Sequence, residues 1–169
     1  MPKFVPIPGP VVSDTVYCDG ELVAKDVAIT FPEVAPTTAD LSAMGTMSVP
    51  VWQRLENMEA AITKIGIDLG LRALVKPDMK PLEARWVQTV TDANGISKTV
   101  GCKAFLKGIP TKIPGLSITP GEQSESEITL TVTRYALFVD GVEMFLIDRL
   151  AGIVRVGGTD YAGDIDSML

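Results

Sequence analysis

Residues 127–148 read EITLTVTRYALFVDGVEMFLID, and the fold turns on how this stretch is read. Ile128, Leu130 and Val132 alternate with Thr129, Thr131 and Thr133, the period of a strand with one buried face. From Tyr135 to Val139 the alternation gives way to a continuous apolar run, as expected of a strand covered on both sides. Asp140-Gly141 supplies the residue pair that most readily takes positive φ at both centres of a type I′ turn. Val142 to Ile147 is the return strand, and no proline interrupts either arm. The stretch predicts a long β-hairpin.

Working outward on the C-terminal side, AGIVRVGGTDYAGDIDSML predicts a short apolar strand, a Gly157-Gly158 turn and an acidic end. On the N-terminal side, Arg85–Thr91 and Ser97–Leu106 read as antiparallel strands across an Asp92-Ala93-Asn94-Gly95 turn. Gly108 to Gln123 is a Gly- and Pro-rich loop. Asp68 is a candidate N-cap for a short helix over 68–76, with Leu71, Leu74 and Val75 as its apolar face and Pro77 as its stop. TVYCDGELVAKDVAITF predicts a first short hairpin about Asp19-Gly20 that ends at Pro32. Residues 1–13, with Pro2, Pro6, Pro8 and Pro10, are an extended arm. Glu33–Thr46 reads as a loop whose end, Ala43 to Met47, is expected to be mobile.

Val49–Gly66 admits two readings. Trp52, Leu55, Ile62, Ile65 and Leu69 form a helical stripe, which pattern alone favours; the same residues also alternate as two strands about Asn57. In all, about eight strands and one short helix are expected, an antiparallel β fold with the helix against one side.

Composition narrows the chemistry. The chain has 169 residues, 46% hydrophobic, 21% charged and 6% aromatic, with a net charge of -6. Such a chain is globular and large enough to bury a core, and its acidity argues against a nucleic-acid-binding surface. It holds no histidine, so a Ser-His-Asp or Cys-His site and a His-bearing zinc site are impossible. Cys18 and Cys102 are too few for a disulfide framework and read as free, buried thiols. No apolar run is long enough for a transmembrane helix, and no basic-then-apolar leader opens the chain, so neither membrane anchor nor secretion signal is expected. Glu122, Glu125 and Glu127 could ligate a hard cation but lack EF-hand spacing; a solvated loop is the plainer reading. Asp160, Asp164 and Asp166 read as a solubilising end or a contact to a neighbouring copy. Gly157-Gly158 is followed by no phosphate-binding signature. Glu56 and Glu59 could be a glycosidase pair, but no aromatic sugar platform accompanies them. No enzymatic role and no cofactor are expected.

Three segments together resemble the major tail tube protein of contractile-tailed bacteriophages, the P2-like family shared with R-type pyocin tubes. Gly121, Glu122, Glu125, Tyr135, Asp140, Gly141, Ile147 and Asp148 fall on the family's acidic step, Tyr strand, Asp-Gly turn and Ile-Asp end. Val156 to Asp160 is similar to its Val-Asn-Gly-x-Asp turn, with Gly157 in place of Asn. Val49-Pro50-Val51 with Leu55 to Ala60 is similar to its Pro-Val and Met-Glu strands, and Val16 to Gly20 to its first hairpin. Ala151 stands where the family tends to have Asn. The matches are collinear over nearly the whole chain.

The resemblance implies a single tail-tube domain over 1–169: a β-sandwich or barrel, one short outer helix, and a hairpin at 49–66 joining neighbouring sheets around a lumen. It overrules the helical reading of that segment. It also implies six copies in a ring, rings stacked into a tube inside a contractile sheath, and a conduit for DNA in transit. Partners would be the sheath, tape-measure and baseplate or initiator proteins, and the tube would be assembled in the host cytoplasm and reside in the virion tail. Polar positions of those strands, Arg54, Glu56, Glu59, Thr63, Thr129, Thr131 and Thr133, become candidates for a lumen whose negative charge repels DNA. Asp40, Met44, Met47, Asp160, Asp164 and Asp166 become candidates for contacts between copies or rings, with 149–169 touching neighbours. Two rivals stand: a small β-barrel ligand-binding module, which predicts a stable monomer, and the tube of a tailocin or secretion-type machine.

Overall fold

The computed structural model describes residues 5–165 and 167–169, so Asp166 and residues 1–4 lie outside the description. The central hairpin forms as expected. β9 (Glu125–Val139) and β10 (Val142–Asp148) pair across Asp140 and Gly141, whose φ values are 50° and 78°. β7 (Lys80–Thr91) and β8 (Ser97–Pro110) form the second predicted pair, each longer than the pattern suggested. β8 then pairs with β9, and β11 (Ile153–Val156) and β12 (Thr159–Asp160) continue the meander beyond β10. At the other edge β1 (Ile7–Cys18) pairs with β7 and carries β2 (Glu21–Lys25) on its outer side.

β9 is the branch point. Its second half takes β10 as neighbour, while its first half pairs with β6 (Glu59–Ile65), which in turn pairs with β3 (Ala28–Thr30). The resulting ten-stranded sheet folds over on itself without closing, as a sandwich does. Ile62, Ile128, Leu130 and Val132 from one layer meet Val16, Leu82, Ala104 and Leu106 from the other in one buried cluster. Trp86, Phe31, Tyr135 and Phe145 extend that core, with successive ring centroids 5.2, 5.9 and 4.9 Å apart. Burial pushes the Tyr135 phenol up to about 12.

To serve both layers, β9 changes phase. Even-numbered residues face the core up to Val132, odd-numbered ones from Tyr135, and the register against β8 slips between Val132 and Arg134. This β-bulge is the physical reason the threonine alternation stops where it does.

Helix α1 spans Gly70–Val75, inside the expected 68–76, with Leu71 and Leu74 buried. Asp68 lies before the N-cap residue, Leu69, yet its carboxylate still accepts the Gly70 N–H at 2.9 Å. Lys64 Nζ, almost wholly buried, donates to Asp68 and to the Val23 carbonyl at 2.7 Å. Lys80 Nζ donates to the Ala73 carbonyl at 2.5 Å. Two buried lysines thus pin the two ends of a helix too short to hold itself.

Four expectations are corrected. Residues 7–13 are no free arm but half of a strand, with Ile7 opposite Thr91 and Pro8 opposite Val90. The first hairpin does not run to Pro32: Asp26 takes φ 53°, Asp14 accepts the Val27 N–H, and the chain crosses to β3 on the other layer. Glu33–Thr46 is not a loop, since β4 (Pro36–Ser42) pairs with β5 (Thr46–Leu55) about a turn at Ala43-Met44-Gly45. Finally, 49–66 is extended, against the helical pattern, but is not one hairpin. β5 pairs only with β4 and β6 with β9 and β3, because the chain between Leu55 and Glu59 passes from an outlying pair into the main sheet. The long hairpin is 36–55. With β4 and β3 also added, the described residues hold twelve strands.

Candidate functional site: the surfaces between copies

The β4–β5 hairpin forms a two-stranded sheet of its own. From Ala39 to Ser48 its residues are exposed, with no core beneath them. Leu41 and Met47 are about half exposed and Met44, at φ 54°, is fully so. An isolated two-stranded ribbon is marginal in water, so this one calls for cover. Among the described residues it is tied down at its base: Arg149 Nη2 donates to the Leu55 carbonyl at 3.3 Å and Gln53 Nε2 to the Tyr161 carbonyl at 3.2 Å. A cavity of about 560 Å³ lies between that base and the C-terminal segment, lined by Arg54, Asp148, Val154 and Ile165 among others.

The structure divides the seven lumen candidates. Glu59 stands opposite Thr131 and Thr63 opposite Glu127, with Thr129 between them, so these four candidates share the non-core face of β6 and β9. Thr133 sits in the bulge and donates to the Lys107 carbonyl at 3.1 Å. Arg54 and Glu56 lie apart, at the hairpin base, where the Glu56 N–H donates to the Ala35 carbonyl at 2.8 Å. Of the contact candidates, Asp40, Met44 and Met47 lie on the hairpin, where Asp40 accepts from Ser48 Oγ at 2.5 Å. Asp160 accepts the Ala162 N–H at 3.0 Å and the Asp164 carbonyl accepts from Ser167, while Asp166 lies outside the described residues.

Sequence reasoning missed Arg149, Gln53 and the two buried lysines. Lys64 was legible in principle, being in phase with Ala60 and Ile62. It also missed the outer face of β7 to β10, where Phe105 and Phe138 meet edge to face at 5.5 Å. Cys18 and Cys102 are buried and unpaired, and burial raises both thiols. Among the described residues no group of three His, Cys, Asp or Glu is placed to hold a metal ion, and no helix is long and apolar enough to cross a membrane.

The hairpin is thus a strand pair without a core, with exposed apolar side chains at its tip, beside an open sheet. The sequence matches the phage tail tube protein FII family over residues 11–169. The chain belongs to that family. A phage tail tube protein is a structural component of a virion or injection machine, and its chemistry is that of contact rather than turnover. The fold agrees. A chain from the PVC sheath–tube complex of an extracellular contractile injection system, in the extended state, superposes with a TM-score of 0.55 at 15% identity, covering 78% of this chain and 91% of that one. A chain from the sheath/tube terminator of the same system gives 0.55 and 15%, covering 78% and 97%. No curated protein matches the sequence.

Proposed function

We propose that this tail tube protein assembles as hexameric rings that stack, rotated, into the inner tube of a contractile tail. The uncovered β4–β5 hairpin is the observation that carries the reading. Such a hairpin gains its missing neighbours when a second copy lies beside it, and heterologous contacts of that kind close into rings. The shared face of Glu59, Thr63, Thr129 and Thr131 lines the lumen, where small polar and acidic side chains let a DNA backbone pass without binding. Arg54 and Glu56, at the hairpin base, serve the joint between copies instead. Asp40, Met44, Met47 and the segment 149–169 touch neighbouring copies or the next ring. The sheath surrounds the tube, with tape-measure and baseplate or initiator proteins at its inside and end, and assembly takes place in the host cytoplasm. The relatives in fold come from an extracellular injection machine, so a tube that carries no genome is the second reading. An open sheet offers no barrel interior, which disfavours the ligand-binding module.

Negative-stain electron microscopy of the purified chain, alone and with its baseplate initiator, tests the proposal. Rings or hollow tubes of uniform width are expected. A chain that stays monomeric even on the initiator overturns it.

A further inference from the structure

The outer face of β7 to β10 is an apolar groove rimmed by cations. Phe105 and Phe138 form its floor, with cavities of about 680 and 580 Å³ on either side of them. Lys103, Lys107 and Arg134 stand on the same face, exposed. Arg85 and Arg155 are satisfied by Glu83 and Glu143, but among the described residues Lys103, Lys107 and Arg134 form no ion pair; Asp148, opposite Arg134, is taken up by the Leu150 and Ala151 N–H groups. A basic patch is out of keeping with a chain of net charge -6.

The complementary surface is in the same chain. Between β8 and β9 runs a long segment without regular structure, and Ile113, Leu116 and Ile118 are exposed on it by 75, 46 and 77%. Glu122 and Glu125 follow, exposed and, among the described residues, without a cation, while Glu127 there has Lys112 at 3.7 Å. Loops of this length in a compact fold usually carry function, and apolar side chains held in water are unfavourable unless they are covered. The loop is apolar and acidic where the groove is apolar and basic.

Both surfaces belong to the β8–β9 pair but lie toward opposite ends of it. Lys103 and Pro110 are seven residues apart, about 23 Å at the usual strand rise. The loop lies away from its own groove, with Lys112, Pro114 and Gly115 beside Thr63, Glu125 and Glu127. We infer that the loop 111–124 of one copy, with Glu125 behind it, docks in the Phe105–Phe138 groove of a second copy, head to tail along the strand direction. A head-to-tail contact repeats without closing when successive copies are related by translation along the strands, and in that arrangement it joins successive layers rather than members of one ring. The inference rests on the tube reading only in taking a second copy as the partner.

Reciprocal charge reversal tests it. Sedimentation velocity at low salt would compare the wild type with Lys103→Glu/Arg134→Glu and with Glu122→Lys/Glu125→Lys, each checked for folding by circular dichroism. The wild type should self-associate and dissociate in high salt. Each variant alone should associate at least tenfold more weakly, since its groove and loop now repel. Mixing the two should restore association, as should one chain carrying all four changes, because each groove again meets an opposite charge. Variants that associate like the wild type, a mixture no better than its parts, or a wild type that stays monomeric would overturn the contact. The tube reading would still stand or fall on the initiator experiment.

Discussion

Lys64 and Asp68 meet at the entrance to helix α1, the lysine buried at 5% side-chain exposure and the aspartate 62% exposed. The pair is lopsided: the cation has left water while its partner has not. The hydrogen bond from Lys64 holds the Asp68 carboxyl below its usual value, against a smaller opposing effect of burial. Replacing Asp68 by Asn should cost about 1 kcal/mol, near the low end for a hydrogen bond to a charged group because water screens the exposed side. Because the folded-state value is lowered, the pair's stabilisation is full above the ordinary carboxyl value of 3.8 and lost as pH falls below it through the folded value. Thermal unfolding followed below pH about 4 should show the wild type losing its advantage over Asp68→Asn.

Tyr135 gives the opposite sign. Its folded-state value is raised to about 12, so the fold's preference for the neutral phenol is intact below the ordinary value of 10 and disappears as pH rises through 12. Tyr135→Phe should flatten the stability loss over that alkaline range. It should also remove the phenol that ionises near 12 from an absorbance titration.

Leu74 and Leu130 are both fully buried, one under the helix and one in β9. Truncation of either to Ala should cost about 2–5 kcal/mol in denaturant unfolding. If both layers share one core, the two effects should appear in a single cooperative transition.

Gly108 is buried in β8 beside the bulge, and a Cβ there would come within 2.8 Å of the Thr131 carbonyl oxygen. That oxygen is backbone and has no rotamer to escape into. Gly108→Ala should therefore destabilise by about 1–3 kcal/mol, an overpacking cost, with a lowered midpoint in urea.

Arg149→Ala should loosen the hairpin without disturbing the main sheet, since Arg149 Nη2 reaches only the Leu55 carbonyl at the hairpin's base. Limited proteolysis within 36–55 should accelerate several-fold while the melting temperature changes by a few degrees at most, as expected when a locally opening unit is released.

The strands that were legible are those whose turns carry their own chemistry. Asp140-Gly141 and Asp19-Gly20 take positive φ as their residue types favour, and Asp92 accepts three backbone N–H groups in the turn before β8. β4 was invisible because Pro36–Ser42 is polar and exposed, without the alternation that a core imposes. The pairing of β5 was misjudged because pairing is a choice among distant partners, and nothing in Val49–Leu55 distinguishes β4 from β6. Of the lumen candidates, Glu59, Thr63, Thr129 and Thr131 share a face because β6 and the first half of β9 keep one period, and Thr133 leaves it because the bulge breaks that period. Arg54 and Glu56 fall away because the chain leaves the outlying hairpin beside them.

The bulge between Val132 and Arg134 bears on which length changes this gene can survive. The two halves of β9 are phased independently and only this slack joins them. Inserting a further residue there would break the phase and turn either Ile128–Val132 or Tyr135–Val139 outward, whereas deleting Thr133 leaves Ile128, Leu130, Val132, Tyr135 and Leu137 on one uninterrupted period. Loop 111–124 can gain or lose residues upstream of the slack, and the Asp140-Gly141 turn can do so downstream. The bulge itself can lose its one extra residue but cannot gain another, so at that point the strand is free to vary in one direction only.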